Sequence, residues 1–220
     1  MNNNSKADSR ISWRTWLLLT VAACILRGGV LWGMSDGLYK DPDGYRELAE
    51  NLHSESTFGR KRMLAWKPIP LEPTAYRPPL YPLLLSNYAD SGLVSPTRVA
   101  FLHLLLGVGS VLITFQLARM WELDDRAAVI AAVLVALDPI LLRQSTLIMT
   151  ETLATFLAVV ALWCLTRLSH RQDFFYAALA GGVLGLCALC RPTFFAWLPL
   201  CAVVVPLLGG SALRRIVNAA

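Results

Sequence analysis

The chain has 220 residues, 55% hydrophobic and only 16% charged, with a mean hydropathy of +0.51. Its apolar runs approach the ~20 residues that cross a hydrocarbon core, which excludes a soluble globular class and indicates an integral membrane protein. The net charge of +5 has much of its excess in one hydrophilic loop, so anionic lipid or a lipid phosphate suits it and nucleic acid does not.

Residues 1–15 form a basic tail carrying Lys6, Arg10 and Arg14. The apolar run behind it, Trp16 to Met34, is long for a signal-peptide core, contains Arg27 and lacks a small-x-small cleavage pattern. It reads as a retained span over residues 16–34. A hydrophilic loop then occupies residues 35–97. Five further apolar runs fall within residues 98–210: Val99–Ala118, Ala127–Leu142, Thr152–Leu165, Phe174–Leu189 and Phe194–Leu208. A basic tail, residues 211–220, closes the chain with Arg214 and Arg215. The expected fold is all-α and polytopic, with about six transmembrane helices, the shorter ones tilted or extended past these limits.

Arginine and lysine mark every second gap between spans: the N-terminal tail, Arg119 and Arg126, Arg167 and Arg171, then Arg214 and Arg215. The positive-inside rule therefore predicts a cytoplasmic N-terminus and an outward 35–97 loop in a plasma or inner membrane. Arg60-Lys61-Arg62 runs against the rule, but long loops translocate largely regardless of charge.

Inside the loop, Asp41, Tyr45, Leu48, Ala49 and Leu52 recur at helical spacing, which predicts an amphipathic helix over Asp41–Asn51 lying on the membrane surface. Asp41 followed by Pro42 reads as a helix cap with proline in the first turn, and Asp43 as a partner for the helix dipole. An irregular stretch, Met63 to Thr74, follows. Prolines between Pro73 and Pro82 then stiffen the approach to a second amphipathic run, Leu83 to Tyr88.

Several motifs carry less than they suggest. All five cysteines lie in apolar runs and act as small hydrophobes, and Cys187-x-x-Cys190 has no second pair. His53, His103 and His170 show no metal-ligand spacing. Gly181 and Gly185 suit close helix packing. Asp138-Pro139 should end or kink a helix within the third span and leave carbonyls in need of partners.

The segments "DPDGYRELAENL", "YRPPLYPLLLS", "LDPILLRQSTLIMTETL" and "GLCALCRPTFFAWLP" occur in this order at span-sized spacing. Together they resemble the N-terminal half of a C-type membrane glycosyltransferase, in the branch of the protein O-mannosyltransferases and the lipid A aminoarabinose transferases. The resemblance implies a sugar donor linked to a lipid phosphate, a protein, lipid or glycan acceptor bound from the outer side, and a catalytic Asp in the first outer loop. It assigns that role to Asp41, with Asp43 as the alternative base. It makes Tyr45 a substrate contact and Glu151, the family's second acidic group, an acceptor or metal contact. Members of this family have roughly twice as many spans, so the chain is expected to be either a fragment or a truncated relative.

An inverting transfer from a polyprenyl phosphate sugar needs a carboxylate to take the acceptor hydroxyl's proton while the phosphate leaves on the opposite face. The phosphate gains charge as it leaves, so arginine donors or a divalent metal should lie near it. Arg77, beside rigid prolines, and Arg191, at the outer end of the fifth span, are the candidate phosphate contacts. A transporter or flippase would instead concentrate its charges at midplane on broken helices, and a membrane scaffold would tolerate loss of Asp41 and Glu151.

Overall fold

A computed structural model describes residues 12–60, 71–171 and 173–203, together with the backbone of 63–64, 67–68 and 204–208. Lys61 and Arg62, parts of the Met63–Thr74 stretch and most of both basic tails lie outside the described residues.

The architecture is all-α, with short two-stranded hairpins confined to the loop. Among the described residues, three helices are long and apolar enough to cross a membrane: α1 (Trp13–Gly33), α4 (Pro96–Met120) and α7 (Glu151–Arg171). Two short helices, α2 (Tyr45–Glu55) and α3 (Leu80–Ser86), belong to the loop. The third predicted run is divided into α5 (Asp125–Leu137) and α6 (Pro139–Gln144), while α8 (Phe174–Cys190) and α9 (Trp197–Leu208) are shorter apolar helices. At 1.5 Å per residue, α8 spans about 26 Å, slightly less than a ~30 Å hydrocarbon core.

The division between α5 and α6 has a specific cause. Asp138 leaves helical geometry and its Oδ1 accepts from the N–H groups of Ile140 and Leu141, both at 2.9 Å, capping α6. Pro139 has no N–H to offer the carbonyl four residues earlier, that of Val135. Arg27 supplies the missing donor, its Nη2 lying 3.1 Å from the Val135 oxygen. This is how one carbonyl freed by the sequence-predicted break is satisfied.

On α1 the buried positions are Leu19, Ala23, Arg27 and Leu31, a single stripe at four-residue spacing. Leu17, Leu18, Val21, Ile25 and Trp32 point outward, as expected of a lipid-facing helix. The stripe packs on α4, which also contacts α5 and α7 and is the most deeply buried of the three long helices. Around Ala23, Ala118, Ala128 and Ala132, small side chains let α1, α4 and α5 approach closely. Gly107 serves the same end beside Arg27, since a Cβ there would lie 2.6 Å from Nη1.

A second core joins the loop to the bundle through Leu38, Tyr45, Ala49, Tyr81 and Leu85 with Val99, Ile148, Leu153, Cys187 and Cys190. Leu48 and Ala49 are fully buried, and α2 packs on α3. The apolar face of α2, expected on lipid, is therefore covered by protein. The helix also begins at Tyr45 and not at Asp41, because Gly44 adopts a left-handed conformation (φ +75°) that turns the chain into the helix. Pro82 is accommodated inside α3 because it falls in the first turn, where backbone N–H groups have no intrahelical partner.

Candidate functional site

The loop helices dock where the C-terminal ends of α6 and α8 meet the N-terminal ends of α4 and α7, and there the chemistry collects. Asp41 precedes α2 and turns its carboxylate back on it: Oδ1 accepts from the Arg46 N–H and Oδ2 from the Glu47 N–H, both at 3.1 Å. These are the second and third residues of the helix, so Asp41 caps α2 from outside it. The anion also sits at the positive end of the helix dipole. Among the described residues it forms no ion pair. The predicted cap role is thus present, performed by the side chain alone and without the cap backbone position.

Asp43 is engaged differently. Arg77 binds it with a fork, Nη2 to Oδ1 at 2.8 Å and Nε to the backbone oxygen at 3.1 Å. The same guanidinium lies over the Tyr45 ring at 5.5 Å and the Tyr76 ring at 4.9 Å from the ring centres. Arg77 is thereby held by two rings as well as by Asp43.

Glu151 begins α7 and Arg191 follows the last residue of α8 as its C-cap. Their side chains pair at 2.8 Å, Arg191 Nη1 to Glu151 Oε1. Glu151 Oε2 is buried without a protein hydrogen-bond partner. Next to this pair the Cys190 thiol, 3.8 Å from the Thr150 oxygen, is fully buried, consistent with packing as its role.

Tyr45 stands between the two ion pairs. Burial pushes its hydroxyl pKa up, a hydrogen bond from Thr150 and the charge of Arg77 draw it down, and Asp43 and Glu151 push it up again. Tyr45 meets the Tyr81 ring edge-on at 5.6 Å. Tyr81 is completely buried, and burial holds its hydroxyl well above the usual tyrosine range, with negative neighbours that include Asp41 and Glu151 adding to the effect. Asp41, Asp43, Arg77 and Glu151, the last paired with Arg191, thus act on one tyrosine pair, Tyr45 and Tyr81.

Beneath the pair lies a residue that the sequence shows only as a histidine without metal-ligand spacing. His103 Nε2 is 2.8 Å from the Tyr81 hydroxyl, and Nδ1 is 2.7 Å from the Ser145 backbone oxygen. A carbonyl only accepts, so Nδ1 carries a proton and the neutral ring receives the Tyr81 hydroxyl hydrogen at Nε2. The dyad ties α3 to α4 and to the end of α6. The available signal was a histidine inside an apolar run, where a polar group needs a partner.

The carboxylates do not assemble a cation site. Asp43 and Glu151 are each paired with an arginine, and among the described residues no three His, Cys, Asp or Glu side chains converge as metal ligands. Among the described residues, the side chains present do not fit a protein-held divalent ion, and the positive groups beside Asp43 and Glu151 are Arg77 and Arg191.

A polytopic helical membrane protein with paired acids and arginines at one end of its bundle is the class defined by this fold and site. Residues 81–207, more than half of the chain, match the family model for dolichyl-phosphate-mannose-protein mannosyltransferase, and the chain belongs to that family. The family implies a membrane glycosyltransferase. The matched segment includes Tyr81, His103, Glu151 and Arg191, while Asp41, Asp43, Tyr45 and Arg77 precede it. Among curated proteins and among solved structures, nothing matches the chain.

Proposed function

We propose that this chain provides the catalytic end of a glycosyltransferase that moves a sugar, mannose by the family's description, from a polyprenyl phosphate donor to an acceptor hydroxyl at the outer membrane face. The observation that carries the reading is the state of Asp41. Two backbone N–H groups orient its carboxylate, and among the described residues no arginine pairs with it. Each oxygen keeps a lone pair for an acceptor proton, which suits a general base. Asp43, clamped by Arg77, is the weaker candidate.

In this reading the acceptor hydroxyl gives its proton to Asp41 as its oxygen attacks the anomeric carbon, and the bond to the lipid phosphate breaks on the opposite face of the sugar. Arg77 and Arg191 are the donors available to the phosphate as its charge grows. Both already hold carboxylates, so binding phosphate exchanges one anion for another and leaves no guanidinium unpaired. Tyr45, between the two pairs, contacts the substrate, and Glu151 holds Arg191 and the acceptor side. The acceptor, whether protein, lipid or glycan, approaches from outside, and the N-terminus is cytoplasmic as the charge pattern predicts.

The test is sugar transfer from a polyprenyl phosphate donor in proteoliposomes, with expression matched. Asp41→Asn should lower transfer at least ~10²-fold, the lower end of what general-base catalysis supplies. Near-normal transfer would remove Asp41 from the mechanism.

A further inference from the structure

Below the acidic site, between α1, α4, α6 and α7, a small cavity is lined by Arg27, Gly107, Ser110, Gln144, Thr152 and Thr155, among others. It holds about one water-sized sphere. Three polar atoms on its lining residues are buried without a protein hydrogen-bond partner: Arg27 Nε, Gln144 Oε1 and Thr152 Oγ1. Arg27 is 2% exposed and Thr152 6%. Arg27 is held from its other end, where Nη2 bonds the Val135 carbonyl, so its Nε–H has no freedom to turn elsewhere.

The three atoms are chemically complementary to one ligand. Arg27 Nε–H can only donate, Gln144 Oε1 can only accept, and the Thr152 hydroxyl does either. An anion would satisfy the arginine but would face the amide oxygen. A cation would satisfy the amide but would face the guanidinium. A water accepts from one and donates to the other, and keeps a further bond for the threonine.

We propose that this cavity is a binding site for one internal water molecule that bridges Arg27, Gln144 and Thr152. Its place gives it a consequence. Thr152 is in the first turn of α7, next to Glu151, and Gln144 ends α6, so the bridge fixes the register between the two helices that flank the acidic site. The water is a positioning element beneath the site and takes no part in the transfer itself.

The experiment is a double-mutant cycle on the full chain in detergent, read as melting temperature, with Thr152→Val and Gln144→Leu. If one water joins the two side chains, each single variant should lower the melting temperature by on the order of 2–4 °C. The double variant should then fall no further than the worse single, because the bridge is already broken. Thr152→Ser, which keeps the hydroxyl, should melt as the unaltered protein does. A dry cavity predicts the opposite for the singles, since replacing an unsatisfied buried polar group by an apolar one of similar shape is neutral or stabilising. Unchanged or raised melting temperatures would overturn the proposal, and so would losses that simply add. Should a variant fail to fold, density for a water within hydrogen-bond distance of the three atoms, in a cryo-electron microscopy map of the unaltered chain, supports the site, and a featureless cavity at a resolution that shows other internal waters overturns it. Neither readout depends on transferase activity, so the site and the proposed reaction stand or fall separately.

Discussion

Arg27 and Val135 are 108 positions apart, and the guanidinium of one bonds the backbone oxygen of the other at 3.1 Å. The oxygen is available because Pro139 cannot donate to it, and the guanidinium can reach it because Gly107 leaves room. A charged residue within a membrane span costs about 2.5–3.5 kcal/mol on insertion scales, so its retention is understandable where it satisfies groups that nothing else in the span can.

Gly107→Ala should therefore be destabilising beyond its local helix effect. The added methyl would sit 2.6 Å from Arg27 Nη1 and 2.8 Å from its Cδ, and overpacking of this kind costs about 1–3 kcal/mol. Melting in detergent should show the loss. In an Arg27→Met background the same substitution should cost much less, because the atoms it meets are gone. Equal losses in the two backgrounds would show that the close approach does not constrain α4.

Gly44 is constrained by two features, its left-handed backbone (φ +75°) and the Arg60 guanidinium, 2.7 Å from where a Cβ would stand. Gly44→Ala should shift the turn that sets Asp41 against α2. Transfer should drop together with stability, whereas Asp41→Asn should reduce transfer much more than melting. Asn keeps one acceptor for the two N–H groups, so its cap loss should stay within about 0.5–2 kcal/mol. Similar ratios of activity to stability in the two variants would argue against a chemical role for Asp41.

Arg77→Lys should keep the charge and lose the fork, since one ammonium cannot reproduce the paired contact to Asp43 Oδ1 and its backbone oxygen. The expected signature is a raised KM for the lipid-linked donor with a smaller change in kcat and little change in melting. A KM equal to that of the unaltered protein would place the phosphate elsewhere.

Tyr81 and Tyr45 give a pH dependence with a definite sign. Burial raises both hydroxyl pKa values above 10.0, so the folded state holds these protons more tightly than the unfolded chain does. Their contribution to stability is fully present below about pH 10 and declines as pH climbs from there toward the folded values. Tyr81→Phe should lower stability near neutral pH, because His103 Nε2 loses its donor, yet show a shallower decline between about pH 10 and 11. A decline as steep as in the unaltered chain would mean that Tyr81 does not titrate on unfolding.

Much of the architecture is written in local pattern. Apolar runs of membrane length announce the helices, Asp138-Pro139 announces a break, and the four ordered motifs announce a family that the match over residues 81–207 supports. These features depend on hydrophobicity, backbone chemistry and short spacings, all of which a linear chain displays. The helical period placed α2 within four residues of its true start and failed at Asp41, because the chain enters the helix through a left-handed glycine that periodicity does not register.

Partnership was decided only by the tertiary structure. That Arg77 takes Asp43, that Arg191 takes Glu151, and that Tyr81 and His103 bond beneath them depends on side chains brought together from α3, α4 and α7 and from the segments that precede α2 and α3 and follow α8. The covering of Leu48 and Ala49 by α3 belongs to the same category, since an amphipathic face is equally suited to lipid and to another helix. Sequence fixes which faces must be buried and which charges must be matched, while the choice of partner is a long-range packing outcome that no local spacing encodes.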